Sequence, residues 1–129
     1  MDCRLLYLTN CKKPQILGIP PNARYGHSAI LAGSRVIIFG GKGEKNLVLK
    51  DIHAFDPMTM TWFQGPEGSG SPCARFGHTG SIINNNQMLV FGGWNMDSFF
   101  NDVYLLNLQT MCWYKPETKG ILVNSRSSP

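Results

Sequence analysis

The sequence predicts an all-β chain built from two similar four-stranded units, and three observations carry that reading. The first is internal repetition. Within 129 residues, Pro21, Arg24, Gly26 and His27 return 51 positions later as Pro72, Arg75, Gly77 and His78, and Asp51 and Trp62 return as Asp102 and Trp113. The second is punctuation: 14 Gly and 8 Pro in so short a chain demand many turns, hence many short elements. The third is periodicity. Short apolar runs recur between turn formers, and no window sustains apolar residues at helical spacing.

Each unit holds four candidate strands. The first covers 27–31 and 78–83, and the second covers 35–39 and 87–91. Their continuous apolar character suits strands buried on both faces. Turn formers at 32–34 and 84–86 divide these pairs. The third strand, 51–55 and 102–106, opens on Asp and partly alternates. Turns at 56–58 and 107–109 lead to the fourth, 61–63 and 112–114, whose aromatic and β-branched content suits a half-exposed outer strand. The doublet Gly40-Gly41 returns as Gly92-Gly93, displaced by 52, so one residue is gained before it and one lost after it. Turns flanking the strands can absorb such slips.

Composition narrows the function classes. With 43% apolar and 16% charged residues the chain fits a packed globular fold. The net charge of +4 is scattered, with Lys12-Lys13 the one adjacent basic pair, whereas a nucleic-acid surface concentrates its cations; no nucleic-acid partner is expected. The run Leu5-Leu6-Tyr7-Leu8 is too short for a signal-peptide core, and no stretch approaches a membrane span, so a cytoplasmic chain without a membrane partner is expected. Cys3, Cys11, Cys73 and Cys112 are too far apart for a zinc pattern and read as reduced thiols packed as small apolar residues.

Taken in order, Arg-aromatic-Gly-His-Ser/Thr, apolar-Phe-Gly-Gly, Asp-apolar and Trp resemble the kelch motif, found twice near the family's period and covering about residues 20–114. The resemblance implies an all-β, kelch-type β-propeller arrangement: two four-stranded antiparallel blades plus partial flanking blades. The expected division is 1–19 as the remnant of a preceding blade, with Cys11 where its Trp would fall; 20–70 as the first repeat; 71–121 as the second; and 122–129, including Asn124-Ser125-Arg126, as the start of a further blade. Propellers close with about 4–8 blades, so an incomplete propeller is expected, as a fragment, a truncated product or a subunit that closes with other blades or chains.

The repeated residues read mainly as architecture. Gly40, Gly41, Gly92 and Gly93 allow positive φ and close backbone approach. Even with Lys42 and Gly43 nearby, no P-loop pattern is met. His27 and His78 occur once per unit without metal-ligand neighbours, which points to hydrogen bonding between strands or blades, with no metal and no cofactor. His53, replaced by Tyr104 in the second unit, is expected on the surface. Asp51 and Asp102 are expected to satisfy loop backbone donors. The resemblance assigns Trp62 and Trp113 to packing between blades. Arg24 and Arg75 either support the fold or bind an acidic partner from an inner channel.

Loops after the second and fourth strands emerge at one end of every blade. They are 42–50, 94–100 and the glycine-rich connector 64–72. Loop 94–100 carries Trp94, Met96, Phe99 and Phe100, whereas its counterpart in the first unit has no aromatic residue. Aromatics and Met are enriched at interface hot spots, so this loop is the expected anchor for a protein or peptide partner. The function expected is a non-catalytic protein-interaction module. The alternatives are a piece of a galactose-oxidase-like propeller enzyme, for which no convergent Tyr, Cys and His set is present, or a scaffold segment of a cytoskeletal or trafficking protein.

Overall fold

Turn chemistry sets the strand boundaries. Gly33 (φ 61°) forms the tight turn joining β1 (Ser28–Ala32) to β2 (Arg35–Lys42), and Asn84 and Asn85 take φ 53° and 60° between β5 (Thr79–Ile83) and β6 (Gln87–Phe91). Asn tolerates this left-handed region better than most residues. Side chains close the outer turns. Asp56 Oδ1 accepts the Met58 N–H at 2.9 Å, between β3 (Val48–Asp56) and β4 (Thr61–Gln64). Asn107 Oδ1 accepts the N–H groups of Gln109 and Thr110 at 2.9 and 3.2 Å, between β7 (Val103–Asn107) and β8 (Cys112–Tyr114).

The computed structural model describes residues 15–65 and 70–117. The strands form two antiparallel sheets in the orders β1-β2-β3-β4 and β5-β6-β7-β8, as expected for two blades, and a 3-10 turn at Glu44–Asn46 is the one helical piece among the described residues. Cys3, Cys11, most of the expected remnant of a preceding blade and the expected opening of a further blade lie outside the described residues.

The hydrophobic core lies between the sheets. Alternation turns Ile37 and Phe39 of β2, Ile52 and Ala54 of β3, and Ile30 of β1 toward the second blade, where Met88, Val90, Leu106 and Trp113 meet them. Full burial of each large apolar side chain is worth about 1.5–3 kcal/mol, so the junction is a main source of stability. The blades converge on β1 and β5. A Cβ added to Gly80 would stand 2.8 Å from the Ser28 Cβ.

The glycine doublets end β2 and follow β6 with φ of 69° and 106° at Gly40 and Gly41, and 71° and 91° at Gly92 and Gly93. Space forbids a side chain there as firmly as φ does. A Cβ at Gly40 would meet the Arg75 carbonyl oxygen at 2.8 Å, and one at Gly93 the Phe76 carbonyl oxygen at 2.9 Å. Leu17 bridges Thr61 in parallel. Its N–H donates to the Met60 carbonyl and its carbonyl accepts from the Trp62 N–H, both at 2.9 Å, so this segment covers the free edge of β4.

Candidate partner-binding face

Each blade contains an arginine locked onto an aspartate of its third-strand segment, Asp51 within β3 and Asp102 just before β7. Arg75 is fully buried, and its guanidinium donates to Asp102 at 2.6 and 3.1 Å, to the Gly92 carbonyl at 3.0 Å and to the Cys73 carbonyl at 3.1 Å. The Phe100 ring lies 4.2 Å from the guanidinium carbon. Arg24 repeats the pattern with Asp51, the Gly40 carbonyl and the Asn22 carbonyl. A planar fork of five donors suits this bidentate closure.

Arg24 and Arg75 have their head groups engaged inside the fold. Two expectations change here. Asp51 and Asp102 accept from guanidinium groups, where loop N–H donors were expected. His53 is buried, its Nε2 donating to Asp51 at 2.8 Å, and is no surface residue. Burial raises the Asp51 carboxyl, but the hydrogen bonds and charges of Arg24 and His53 outweigh it and hold the group below the ordinary Asp value.

His78 crosses the junction. The Ser28 hydroxyl donates to the Phe39 carbonyl at 3.5 Å and receives the His78 Nε2–H at 2.8 Å, while the imidazole packs edge-on against Phe39 at 5.1 Å. Burial, and then the Arg75 charge, push its pKa down from 6.5 to about 4. A histidine whose folded pKa is depressed binds protons more readily when unfolded. Stability at this site is therefore complete above pH 6.5 and falls as pH drops toward 4, by up to about 3 kcal/mol. Denaturant midpoints at pH 7 and pH 5 should differ in the parent chain and differ less in His78→Gln. Equal slopes would remove His78 as the source.

His27, the counterpart, is exposed. Trp113 is buried on Phe39 with ring centres 5.0 Å apart, whereas Trp62 is half-buried and lies tilted against Phe55 at 4.8 Å. Cys73 and Cys112 are exposed free thiols, contrary to the expected burial, because one sits on a connector and the other faces outward from the edge strand β8.

At the loop end, two reciprocal backbone bridges build a shared face. Tyr25 and Lys42 exchange N–H···O bonds at 3.1 and 2.8 Å, and Phe76 and Trp94 exchange theirs at 3.0 Å each. The bridges place four rings in a row. Tyr25 meets Phe76 edge-on at 6.2 Å, Phe76 meets Trp94 at 4.9 Å, and Trp94 stacks on Phe99 at 5.2 Å and 19°. Tyr25 is 58% exposed, and Met96 and Phe99 are each 47% exposed. Loop 94–100 holds its own shape. Asn95 Oδ1 accepts the N–H groups of Asp97 and Ser98 at 3.0 and 2.8 Å, and the Phe100 N–H donates to the Gly93 carbonyl at 2.8 Å.

Residues 6–129 match the model of the KLHDC2/KLHL20/DRC7 Kelch-repeats domain. The chain belongs to the kelch-repeat family. Kelch-repeat domains generally serve as protein-interaction modules. The chain is 37% identical to Acyl-CoA-binding domain-containing protein 4 of Arabidopsis thaliana over 80% of its own length and 15% of the relative's. It is 37% identical to human Kelch domain-containing protein 3 over 79% of its length and 27% of the relative's. It is 32% identical to Rho GTPase-activating protein gacHH of Dictyostelium discoideum over 84% of its length and 7% of the relative's. The chain therefore spans a minor part of each.

Within this kelch pair, the four aromatic-loop candidates divide. Met96 and Phe99 face solvent, Trp94 is half-buried in the ring row, and Phe100 turns inward onto Arg75. The kelch motif itself hid three further members of the face: Tyr25, Phe76 and Lys42. The first two occupy the aromatic position of Arg-aromatic-Gly-His and read as repeat architecture. Lys42 follows its glycine doublet as Trp94 follows Gly93, and aligning those two positions would have exposed the exchange of an indole for a cation. Away from this face, a cleft of about 470 Å³ opens between the blades, lined in part by Ile37, Phe63, Asn85, Asn86 and Met111. Among the described residues no group of His, Cys, Asp or Glu could hold a metal, and no helix is long and apolar enough to cross a membrane.

Proposed function

We propose that this kelch pair is a non-catalytic docking module that takes a protein or peptide partner on its loop end, in a cytoplasmic setting. The observation that carries this reading is the row Tyr25–Phe76–Trp94–Phe99, drawn from both blades and left partly open to solvent. Blade architecture uses none of the exposed area of Tyr25, Met96 or Phe99. Rigid aromatic surface offers large contact area at low entropic cost, which is why few such residues dominate interfaces. The relatives' names attach dissimilar activities to chains that share this repeat, which suits a common role in recognition. Exposed Cys73 and Cys112 are compatible with a reducing compartment.

Changing Trp94 and Phe99 together to Ser tests the reading. Each truncated hot spot costs about 2 kcal/mol or more, so partner affinity should fall by at least about 30-fold. The melting temperature should move little, because loop 94–100 lies outside the interblade core. Quantitative pull-down at graded protein concentration, alongside a thermal melt, gives both answers. Unchanged capture with an intact fold would overturn the proposal.

A further inference from the structure

Lys42 is the one cation on the loop face that the fold buries without giving it a carboxylate, among the described residues. It is 7% exposed, yet its ammonium donates to the Met96 sulfur at 3.4 Å and otherwise faces the rings of Phe76 and Tyr25, whose centres lie 5.2 and 6.0 Å away. A thioether is a weak acceptor. The ring contacts are worth about 0.5–2 kcal/mol each. The contrast with the neighbouring arginines is direct: Arg24 and Arg75 each hold a bidentate aspartate. Glu44 and Asp97 flank Lys42 on the two loops, but both are exposed and neither forms an ion pair with it. Lys45, on the same loop, is also exposed.

We infer that the docked segment presents an Asp or Glu side chain to Lys42, flanked by apolar residues that lie on the aromatic row. This deepens the docking proposal and rests on it. The geometry favours such a ligand in two ways. The ammonium and Trp94 pack on the same buried Phe76, so a chain that spans the exposed rings of Tyr25 and Phe99 passes both. Met96, which covers the ammonium, is half-exposed and unbranched, so its side chain can swing aside for a stronger acceptor. Supplying a carboxylate to an uncompensated buried cation removes a desolvation cost that the free protein carries, whereas a surface pair would gain little.

Selection from a phage library of random peptides of about a dozen residues, fused through their C-terminal end, offers side-chain carboxylates without chain-terminal ones. On the parent chain, recovered peptides should be enriched in an acidic residue next to apolar ones. On Lys42→Met the apolar preference should survive and the acidic one should vanish, while Lys42→Arg should retain both. For a selected peptide, changing its acid to the amide should weaken binding about tenfold on the parent and hardly at all on Lys42→Met. Denaturation midpoints of both variants establish that they fold. Acid enrichment that persists on a folded Lys42→Met, or apolar enrichment without acid on the parent, overturns the inference and leaves the docking face standing. Peptides that bind the Trp94→Ser, Phe99→Ser chain as well as the parent, or no enrichment at all, overturn the docking face and this inference together.

Discussion

Replacing Trp113 with Ala should lower the unfolding free energy by about 3–5 kcal/mol, the range for an aromatic side chain removed from a packed core. The ring is 7% exposed, stands 5.0 Å from Phe39 of the other blade and touches Tyr104 edge-on at 6.4 Å. Its loss opens a cavity at the blade junction, where neither sheet can collapse without disturbing its own hydrogen-bond ladder. The same change at Trp62 should cost less, although the two residues occupy the same place in the repeat, because Trp62 is half-buried and packs within its own sheet against Phe55. Urea titrations followed by circular dichroism measure both. Equal losses would show that the repeat position, and not the junction, sets the energy; an unchanged Trp113→Ala would remove the tryptophan from the junction altogether.

Asp102→Ala should be comparably damaging, at about 3–5 kcal/mol, because it strands a guanidinium that has no path to water. Arg75 is fully buried, and the remaining acceptors, the Gly92 and Cys73 carbonyls, cannot neutralise it. Removing both members should cost less than the sum of the single changes, since the largest penalty is the unpaired charge and not the lost pair. A double-mutant cycle with Arg75→Met and Asp102→Ala reads this coupling. Strict additivity would mean that the two groups act independently, and the account of Arg75 as a tie between loop and strand would fail.

The fold was legible because its determinants are local and repeated. Turn residues, strand character and the glycine doublets each announce themselves at short range, and the 51-residue offset turns weak signals into a consistent pair. Strand ends moved by at most three residues, most at β2 and β3, which continue through the glycine doublet and its register slip. The binding face was less legible because its parts are brought together across two blades. Loop 94–100 stood out by composition, but Tyr25 and Lys42 reach it only through side-chain contacts with Phe76 and Met96, residues far along the chain. The arginines illustrate the same limit. Arg24 and Asp51, like Arg75 and Asp102, stand 27 residues apart in sequence, and nothing local couples a guanidinium to a particular carboxylate. His53 was misplaced for the same reason, since its burial follows from the Asp51 that Arg24 has already drawn inward.

The bond from His78 to Ser28, together with the packing of Trp113 against Phe39, means that the second repeat carries the residues that fasten the first. The unit of heredity and the unit of cohesion are therefore out of phase. An array built this way can lengthen or shorten by whole repeats, since a newcomer that repeats this pattern brings its own clasp for the blade before it. A cut within a repeat has no such tolerance, because it separates clasp from socket on both sides. Growth by duplication is thus favoured by the same side chains that hold two neighbours together.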